Sequence, residues 1–185
     1  MGACSTSVSL IGANRLLATR SFAYGGDAIT ERIIECFNIN ETEAENIKRL
    51  YGYDLRKMEF AYPIVKNNAG KVFVREDLNS IIVNSLDGFV SSFETSAEKL
   101  ATLYQASSYK DIPIYIVGGA SKLHGLLDYL KAKMNKDNIY VLSPNNIGAR
   151  DPSLFACLGA IIVHSNNPGM LEEVNNASVT MSREE

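Results

Sequence analysis

The chain has 185 residues, of which 46% are hydrophobic and 21% are charged, and its formal net charge is −3. This composition is typical of a globular protein, and the length suits one domain with or without a small insert. No apolar run reaches the roughly 18 residues of a membrane helix. The net negative charge provides no positive electrostatic potential that would attract the phosphate backbone of a nucleic acid. The sequence therefore predicts a soluble protein that binds no nucleic acid. Three widely spaced cysteines and two histidines predict reduced thiols and no metal site.

The chain opens with a predicted hairpin and a helix. Residues 5–11 and 16–22 are β-rich or alternating runs separated by a short polar link that contains glycine, a pattern that favours two antiparallel strands. After Gly25 and Gly26, isoleucine and phenylalanine side chains recur at helical intervals. We expect a helix to begin directly after these glycines, with Asp27 as its N-cap.

A second helix, a second hairpin and a long helix are predicted next. Residues 40–51 carry acidic side chains at the start and basic ones at the end, and Gly52 follows as a stop. Residues 58–65 and 71–74 predict strands joined by a polar loop that is long enough for a bulge. From about residue 76 to residue 106, apolar side chains hold one face at 3.6-residue spacing.

The rest of the chain alternates between strands and helices. Strands are predicted over residues 112–117 and 139–142, and helices over residues 123–134 and 151–164. This alternation is typical of an α/β fold in which helices cross over between the strands of a parallel or mixed sheet. The polar, acidic tail over residues 166–185 is expected to lie outside the core.

Two stretches near the start carry candidate anion-binding features. GACST at residues 2–6 combines small and hydroxyl side chains, whose backbone amides and hydroxyls can converge on one anion. Taken alone, the stretch is more simply explained as a strand start that happens to be rich in small residues. Gly25 and Gly26 either bring the backbone close to a ligand at the positive end of a helix dipole or make a tight strand-to-helix turn.

Two later stretches suggest contacts to a sugar and a flat ring. Glu45 and Lys48 lie three residues apart on one helix face, where they either bond ribose hydroxyls or pair with each other. Gly118 and Gly119 follow an apolar strand and precede a helix, the position where open α/β sheets bind ligands. Without Cβ atoms, the backbone there can lie against a flat ring. A packing turn is the alternative.

In this order, the four stretches resemble the actin and sugar-kinase superfamily of ATPases. Within it, the chain to about residue 163 resembles the second half of the FtsA family of bacterial cell-division proteins. The stretches that carry the resemblance are GACSTSVSLI, RSFAYGGDAIT, AENIKRLYGYD, VFVREDLNSII, IPIYIVGGASKLHGL and NIGARDPSLFACLGAII. The resemblance implies a ribonuclease-H-like α/β core over residues 1–27 and 106–165, with a small α+β subdomain inserted over residues 28–105.

The resemblance also implies a site for ATP and Mg²⁺ with binding roles only. By this resemblance, the β- and γ-phosphates would contact Gly2, Ser5 and Thr6, and the phosphates and sugar would contact Gly25 and Gly26. The ribose and adenine would contact Glu45 and Lys48. The adenine would also contact Gly118, Gly119, Ala120 and Lys122. The family's first phosphate loop and water-positioning residues lie outside this sequence. Because phosphoryl transfer needs both sides of the nucleotide, we expect weak nucleotide affinity and no useful ATPase activity from this chain alone.

The implied biology is that of the bacterial cytoplasm at the inner face of the cell membrane. The family polymerises and links FtsZ filaments to the membrane, and the inserted subdomain would bind the FtsZ C-terminal peptide. Asn84 stands where the family usually carries arginine, and Asp87–Gly88 replaces an acidic pair nearby. Residues 169–185 show no basic amphipathic pattern, so a membrane contact is expected only through a segment that is not evident here.

Three other interpretations stay open. PilM, the cytoplasmic scaffold of type IV pilus assembly, shares the GG-x-x-[IL]-T helix start and the A-E-x-x-K pattern, and binds a peptide of an inner-membrane partner. A sugar-kinase-type phosphotransferase would require paired polar groups beside Gly25, which the sequence does not show. A purely structural module is the remaining alternative.

Overall fold

The structure, a computed structural model, describes residues 1–54, 62–104, 108–146 and 148–166. The described residues form a mixed α/β fold. Its elements are β1 (Thr6–Gly12), β2 (Arg15–Phe22), α1 (Gly26–Phe37), α2 (Glu41–Tyr51), β3 (Pro63–Lys66), β4 (Val72–Val74), α3 (Arg75–Leu103), β5 (Ile114–Ile116), α4 (Leu126–Met134), β6 (Ile139–Val141) and α5 (Phe155–Asn166).

The first hairpin is confirmed with a tighter turn than the sequence predicts. Gly12 pairs with Arg15, so Ala13 and Asn14 alone make the turn. Both have positive φ, 48° and 59°, as the two-residue turns that match the right-handed strand twist require. Asparagine visits this region more readily than most residues, which explains why the turn closes here.

The cap of α1 differs from the prediction. The N-cap is Gly25, which makes no side-chain cap, and Asp27 lies within the first turn. The amides of Gly26 and Asp27 donate instead to the carbonyls of Gly2 and Ala3, at 3.0 and 2.9 Å. Because backbone oxygens already satisfy the helix start, no capping side chain is needed. The prediction that Asp27 caps this helix is therefore wrong.

The second helix agrees with its sequence signals. The Asn40 side chain accepts from the amide of Glu43 at 2.9 Å, and Gly52 ends the helix at φ 54°. Asparagine at the N-cap and glycine after the last turn are the usual solutions to unpaired helix ends.

The long helix α3 provides most of one wall of the core. It begins at Arg75, and Asp77 accepts from the Val74 amide at 2.9 Å. Its buried residues are Leu78, Ile82, Ser85, Leu86, Phe89, Val90, Ser96, Ala97, Leu100 and Ala101, which confirms the predicted apolar face. Residues 55–61, where a strand is predicted to begin, and residues 105–107 at the predicted helix end lie outside the described part.

The closing β–α–β–α order is confirmed, with shorter elements. Strands β5 and β6 are parallel, and α4 crosses between them. Helix α4 begins only at Leu126, because Gly125 at φ 74° interrupts the helical backbone. Helix α5 leaves Ile161 62% exposed, and it has no buried residue. Most of the predicted tail, residues 167–185, lies outside the described part.

One core cluster joins the helices and the parallel strands. It contains Ile29 and Ile33 of α1, Leu78 of α3, and Ile116 and Ile139 of the parallel pair. These residues come from both of the predicted divisions, 1–27 with 106–165 and 28–105, and the division itself stays a prediction. Among the described residues, no helix combines the length and the apolar character needed to cross a membrane.

The strands expected in the parallel or mixed core sheet are observed as separate pairs, and the second hairpin forms a pair of its own. Within the described ranges, β1 pairs with β2, β3 with β4, and β5 with β6, and no hydrogen-bonded ladder joins these pairs. The hairpin nevertheless packs on α3, where Phe22 and Tyr24 contact Phe89 with ring centroids 5.9 and 5.5 Å apart.

Candidate functional site

A turn at the start of the chain lies directly on the first helix. The amide of Gly2 donates to the carbonyl of Ser5 at 2.9 Å and closes the turn. The carbonyls within the turn receive the first amides of α1, as described above. A side chain at Gly25 would place its Cβ 2.0 Å from the carbonyl oxygen of Ala3. Only glycine lets the two backbones approach so closely.

The second helix and a third turn reach the same point. An added Cβ at Gly26 would lie 3.5 Å from Lys48 Nζ and 3.6 Å from the Cβ of Ala120. Gly26 is buried, and its amide contacts Gly2. Residues predicted from four separate stretches of sequence therefore meet around one glycine.

The third turn is fixed to the first residue of the chain. Gly118 has φ 100°, and a Cβ there would lie 2.3 Å from the carbonyl oxygen of Met1. The amino group of Met1 donates to the Val117 carbonyl at 2.7 Å, and the Ala120 amide donates to Met1 at 3.4 Å. Glycine is thus required at position 118 for two reasons: its φ is positive, and a side chain would collide with Met1.

The outer side of the first turn presents polar groups to solvent. Gly2 and Ser5 are exposed. In the part of the chain that the structure describes, the amides of Ala3, Cys4 and Ser5 donate to no protein group. Thr6 is buried, and its hydroxyl donates to the Tyr24 carbonyl at 2.7 Å. The turn is therefore exposed at Gly2 and Ser5, and the buried Thr6 fixes its end.

Lys48 is a buried cation with three partners. It is 8% exposed, and its Nζ donates to the Gly26 carbonyl at 3.0 Å and to Thr30 Oγ1 at 2.7 Å. Its third contact is an ion pair with Glu45 at 2.6 Å. The structure thus confirms that the two side chains pair with each other, and it places the pair beside Gly26. The contact with ribose stays a prediction.

Glu45 is strongly held in its ionised form. Partial burial raises its pKa, but hydrogen bonds from Lys48, Thr30 and Arg49 outweigh that effect and hold the pKa at about 2. Thr30 Oγ1 donates to one carboxylate oxygen at 2.7 Å, and Arg49 Nε donates to the other at 2.7 Å. The carboxylate therefore stays negative throughout the physiological range.

A further loop braces the third turn from outside. Lys122 pairs with Asp151 at 2.6 Å, and the Gly118 amide donates to the Pro152 carbonyl at 3.1 Å. The Lys122 ammonium and the amide and hydroxyl of Ser153 keep the pKa of Asp151 well below its ordinary value. Gly119, between these contacts, is exposed, and an added Cβ would meet only Ser153, at an ordinary 3.7 Å.

Two of these residues were missed as site residues from sequence alone. Thr30 lies four residues after Gly26, one helical turn along α1, and the stretch GGDAIT contains this signal. Asp151 precedes Pro152 and Ser153, which is a recognisable cap of a helical turn. Both signals were available, but neither indicates which other turn the residue will contact.

The family profile for cell division protein FtsA matches residues 1–159. The chain belongs to the FtsA family. FtsA of Bacillus subtilis (strain 168) is 26% identical over 168 residues, a match that covers 87% of this chain and 36% of that protein. The chain therefore spans a little over a third of this FtsA relative.

Two solved structures share the fold. MreB 5 of Spiroplasma citri bound to AMPPNP matches with a TM-score of 0.69 and 15% identity, over 96% of this chain and 54% of that one. The PilM–PilN type IV pilus biogenesis complex matches with a TM-score of 0.57 and 27% identity, over 84% and 37% of the respective chains. These matches confirm the predicted actin-like α/β fold for this FtsA-family chain.

The ionised state of Glu45 predicts a pH-dependent contribution to stability. Its pKa is lower in the folded chain, about 2 against 4.5, so its stabilising effect is present above pH 4.5 and is lost as pH falls towards 2. In urea unfolding, Glu45→Gln should therefore be destabilised at pH 6 by an amount that shrinks with acidification. Glu31→Gln, at an exposed carboxylate on α1, is the control. An equal pH dependence for both variants would contradict the network.

The two glycines of the third turn should differ in their tolerance of alanine. Gly118→Ala is expected to lower the free energy of unfolding by about 1–3 kcal/mol, because of its positive φ and its contact with Met1. Gly119→Ala should change it by less than about 0.5 kcal/mol, since space is available. Thermal and urea unfolding followed by circular dichroism measure both. Equal losses would show that the contact with Met1 does not constrain this turn.

Proposed function

We propose that this chain supplies one wall of a site for ATP with Mg²⁺ in an actin-like cell-division protein of the FtsA family. The observation that carries the proposal is the meeting of the first turn, the start of α1, the Glu45–Lys48 pair and the third turn around Gly26. Nucleotide bound to the MreB 5 relative supports the same assignment by likeness of fold.

The first turn is the proposed phosphate contact. Successive backbone amides without protein acceptors can form an anion-binding concavity, and within the described residues the amides of Ala3, Cys4 and Ser5 donate to no protein group. The Ser5 hydroxyl adds one more donor, and Gly2 leaves the approach open. We assign the β- and γ-phosphates to this turn, with Thr6 fixing its base and with Gly25 and Gly26 allowing it to lie on α1.

The sugar and base are assigned to the other side of Gly26. Glu45 is negative and only partly buried, so its oxygens can accept from ribose hydroxyls beside Lys48. Gly119 presents exposed backbone without a side chain, which suits the flat face of adenine. Ala120 and Lys122 would border the ring.

These are binding roles, and they define one side of a nucleotide only. ATP supplies the phosphoryl group and Mg²⁺ neutralises its developing charge in this class of reaction. Among the described residues, no three or more metal-binding side chains are grouped so that they could hold an ion. We expect weak affinity and no useful ATP hydrolysis from the chain alone.

Nucleotide binding should be visible as perturbed amides in nuclear magnetic resonance spectra. Titration with Mg-ATP is expected to shift the amides of the first and third turns, with a dissociation constant weaker than about 1 μM. Inorganic triphosphate should shift the first turn alone, and adenosine the third. Gly119→Val should weaken adenosine binding about tenfold, because a branched side chain would cover the exposed backbone.

Gly88→Val is the matched control, since an added Cβ at that position on α3 meets nothing within 4 Å. Equal weakening by both variants would overturn the adenine assignment. Submicromolar binding by the isolated chain would show that the second wall is not needed. The absence of shifts with all three probes would overturn the proposed function.

At the cellular level, we propose self-association into filaments and a link to FtsZ at the inner face of the cell membrane. Family membership supports both, and membrane attachment would use a segment that is not evident here. On α3, Asn84 is exposed. Asp87 accepts from Tyr129 at 2.5 Å and pairs with Lys133 at 2.5 Å.

A pilus scaffold is the second candidate, because the PilM–PilN complex shares 27% identity with the chain. In that case, the partner would be a peptide of an inner-membrane protein. Family membership favours FtsZ.

Immobilised peptides should separate the two partners. We expect the FtsZ C-terminal peptide to retain the chain, and Asn84→Arg to strengthen retention up to about fivefold through an added surface charge. Asn46→Arg, on the exposed face of α2, adds the same charge elsewhere and should change nothing. Retention on a PilN N-terminal peptide instead, unaffected by Asn84→Arg, would favour the pilus scaffold.

A further inference from the structure

Two stretches of the sequence that flank the proposed site lie against each other in the structure. YGYD at residues 51–54 ends α2 and continues beyond it, and KLHG at residues 122–125 precedes α4. The Tyr53 amide donates to the His124 carbonyl at 2.9 Å, and this bond joins the two stretches. We call residues 52–54 the bridging loop. It leads from the end of α2 to the segment that follows the third turn.

Glycine is required on both sides of this contact. Gly52 has φ 54°, and a Cβ there would lie 2.6 Å from the Cβ of His124. Gly125 has φ 74°, and a Cβ there would lie 2.1 Å from the carbonyl oxygen of Tyr53. Only glycine permits two backbones to approach so closely. A side chain at either position would therefore push the bridging loop away from the segment before α4.

Helices α3 and α4 also hold the bridging loop. The Asn79 side chain on α3 accepts from the Asp54 amide at 3.1 Å and donates to the Asp54 carbonyl at 2.8 Å. The ring of Tyr53 lies edge-on against the ring of Tyr129 on α4, with the ring centroids 5.4 Å apart. Two hydrogen bonds and an aromatic contact of this geometry fix the position of the loop relative to both helices.

The bridging loop connects the two parts of the proposed nucleoside site. The Gly52 amide donates to the Lys48 carbonyl at 3.0 Å, so the loop begins one helical turn after the pair that we assign to ribose. At its other contact, Gly125 follows Lys122 of the third turn by three residues. Because both connections are this short, a shift at the loop contact would move the base side of the site relative to the sugar side.

We propose that the bridging loop sets the spacing between the Glu45–Lys48 pair and the third turn. Gly52, Gly125 and Asn79 are then positioning residues for a bound nucleoside. This inference rests on the proposed function, because it concerns the same site. The first turn is fixed to the start of α1 by separate backbone hydrogen bonds. The loop therefore controls the binding of sugar and base and leaves the phosphate contact unaffected.

Gly125→Ala and Gly70→Ala are a matched pair for the test. Both positions have positive φ, 74° and 82°, so alanine strains the backbone at both. At Gly125 the new Cβ would meet backbone, whereas at Gly70, between β3 and β4, it would meet Lys66 Cε at an ordinary 3.8 Å. In nuclear magnetic resonance titrations of the full chain, Gly125→Ala should weaken adenosine binding about tenfold and change inorganic triphosphate binding by less than about twofold. Gly70→Ala should change neither.

Two results would overturn the positioning role. One is equal adenosine affinity in the two variants, and the other is an equal loss of adenosine and triphosphate binding in Gly125→Ala, which general destabilisation would cause. If Gly125→Ala fails to fold, Asn79→Ala replaces it, because it removes both hydrogen bonds to Asp54 and adds no atom. It should weaken adenosine binding about threefold. Unchanged adenosine affinity in Asn79→Ala would overturn the inference.

A measurement without nucleotide separates this inference from the proposed function. An added Cβ at Gly26 would lie 3.6 Å from the Cβ of Ala120, so the Ala120 methyl group and the Gly26 α-protons should show a nuclear Overhauser contact. Gly125→Ala should remove this contact, and Gly70→Ala should keep it. A contact that survives in Gly125→Ala would overturn the inference. Its loss there, with no adenosine shift in the unmodified chain, would support the spacing role and overturn the proposed function alone.

Discussion

The contact of backbone on backbone at the first turn determines the arrangement of the whole site. Gly25 brings α1 against Ala3, and Gly118 brings the third turn against Met1. No side chain fills these contacts, so their geometry is set by carbonyl and amide groups with little freedom to adjust. The position of every proposed ligand-binding group follows from them, because Lys48 and Ala120 are placed relative to Gly26, and Gly26 is placed relative to Gly2.

The helices whose signals lie within a few residues of each other in the sequence were predictable. The caps of α2 and the apolar face of α3 follow from residue type and spacing, which act within a few residues of each other. The cap of α1 was not predictable in this way, because its partners are carbonyls more than twenty residues away. Asp27 carries the right side chain for a cap, but the helix begins one residue before it, because the amides of Gly26 and Asp27 bond the carbonyls of Gly2 and Ala3.

For the site, the residues were predictable from the sequence, but their proximity was not predictable from the residues alone. The glycines and the Glu45–Lys48 pair are visible in the sequence, but only the family resemblance placed them together. Asp151 was missed because an acidic residue before Pro-Ser indicates a local cap, whereas its ion pair with Lys122 links positions 29 residues apart. The sheet expectation was incomplete for a related reason: alternation of strands and helices gives their order, but it does not show which edges will find a partner.

The buried ammonium of Lys48 has a consequence for any ligand that reaches it. Its three hydrogens are already directed to the Gly26 carbonyl, the Thr30 hydroxyl and Glu45, and an ammonium has no fourth. A ribose or phosphate oxygen can bond this group only by displacing one of those three acceptors. Binding of a sugar at this position would therefore weaken the contact between α1 and α2 that Lys48 makes. Conversely, strengthening that contact would weaken sugar binding.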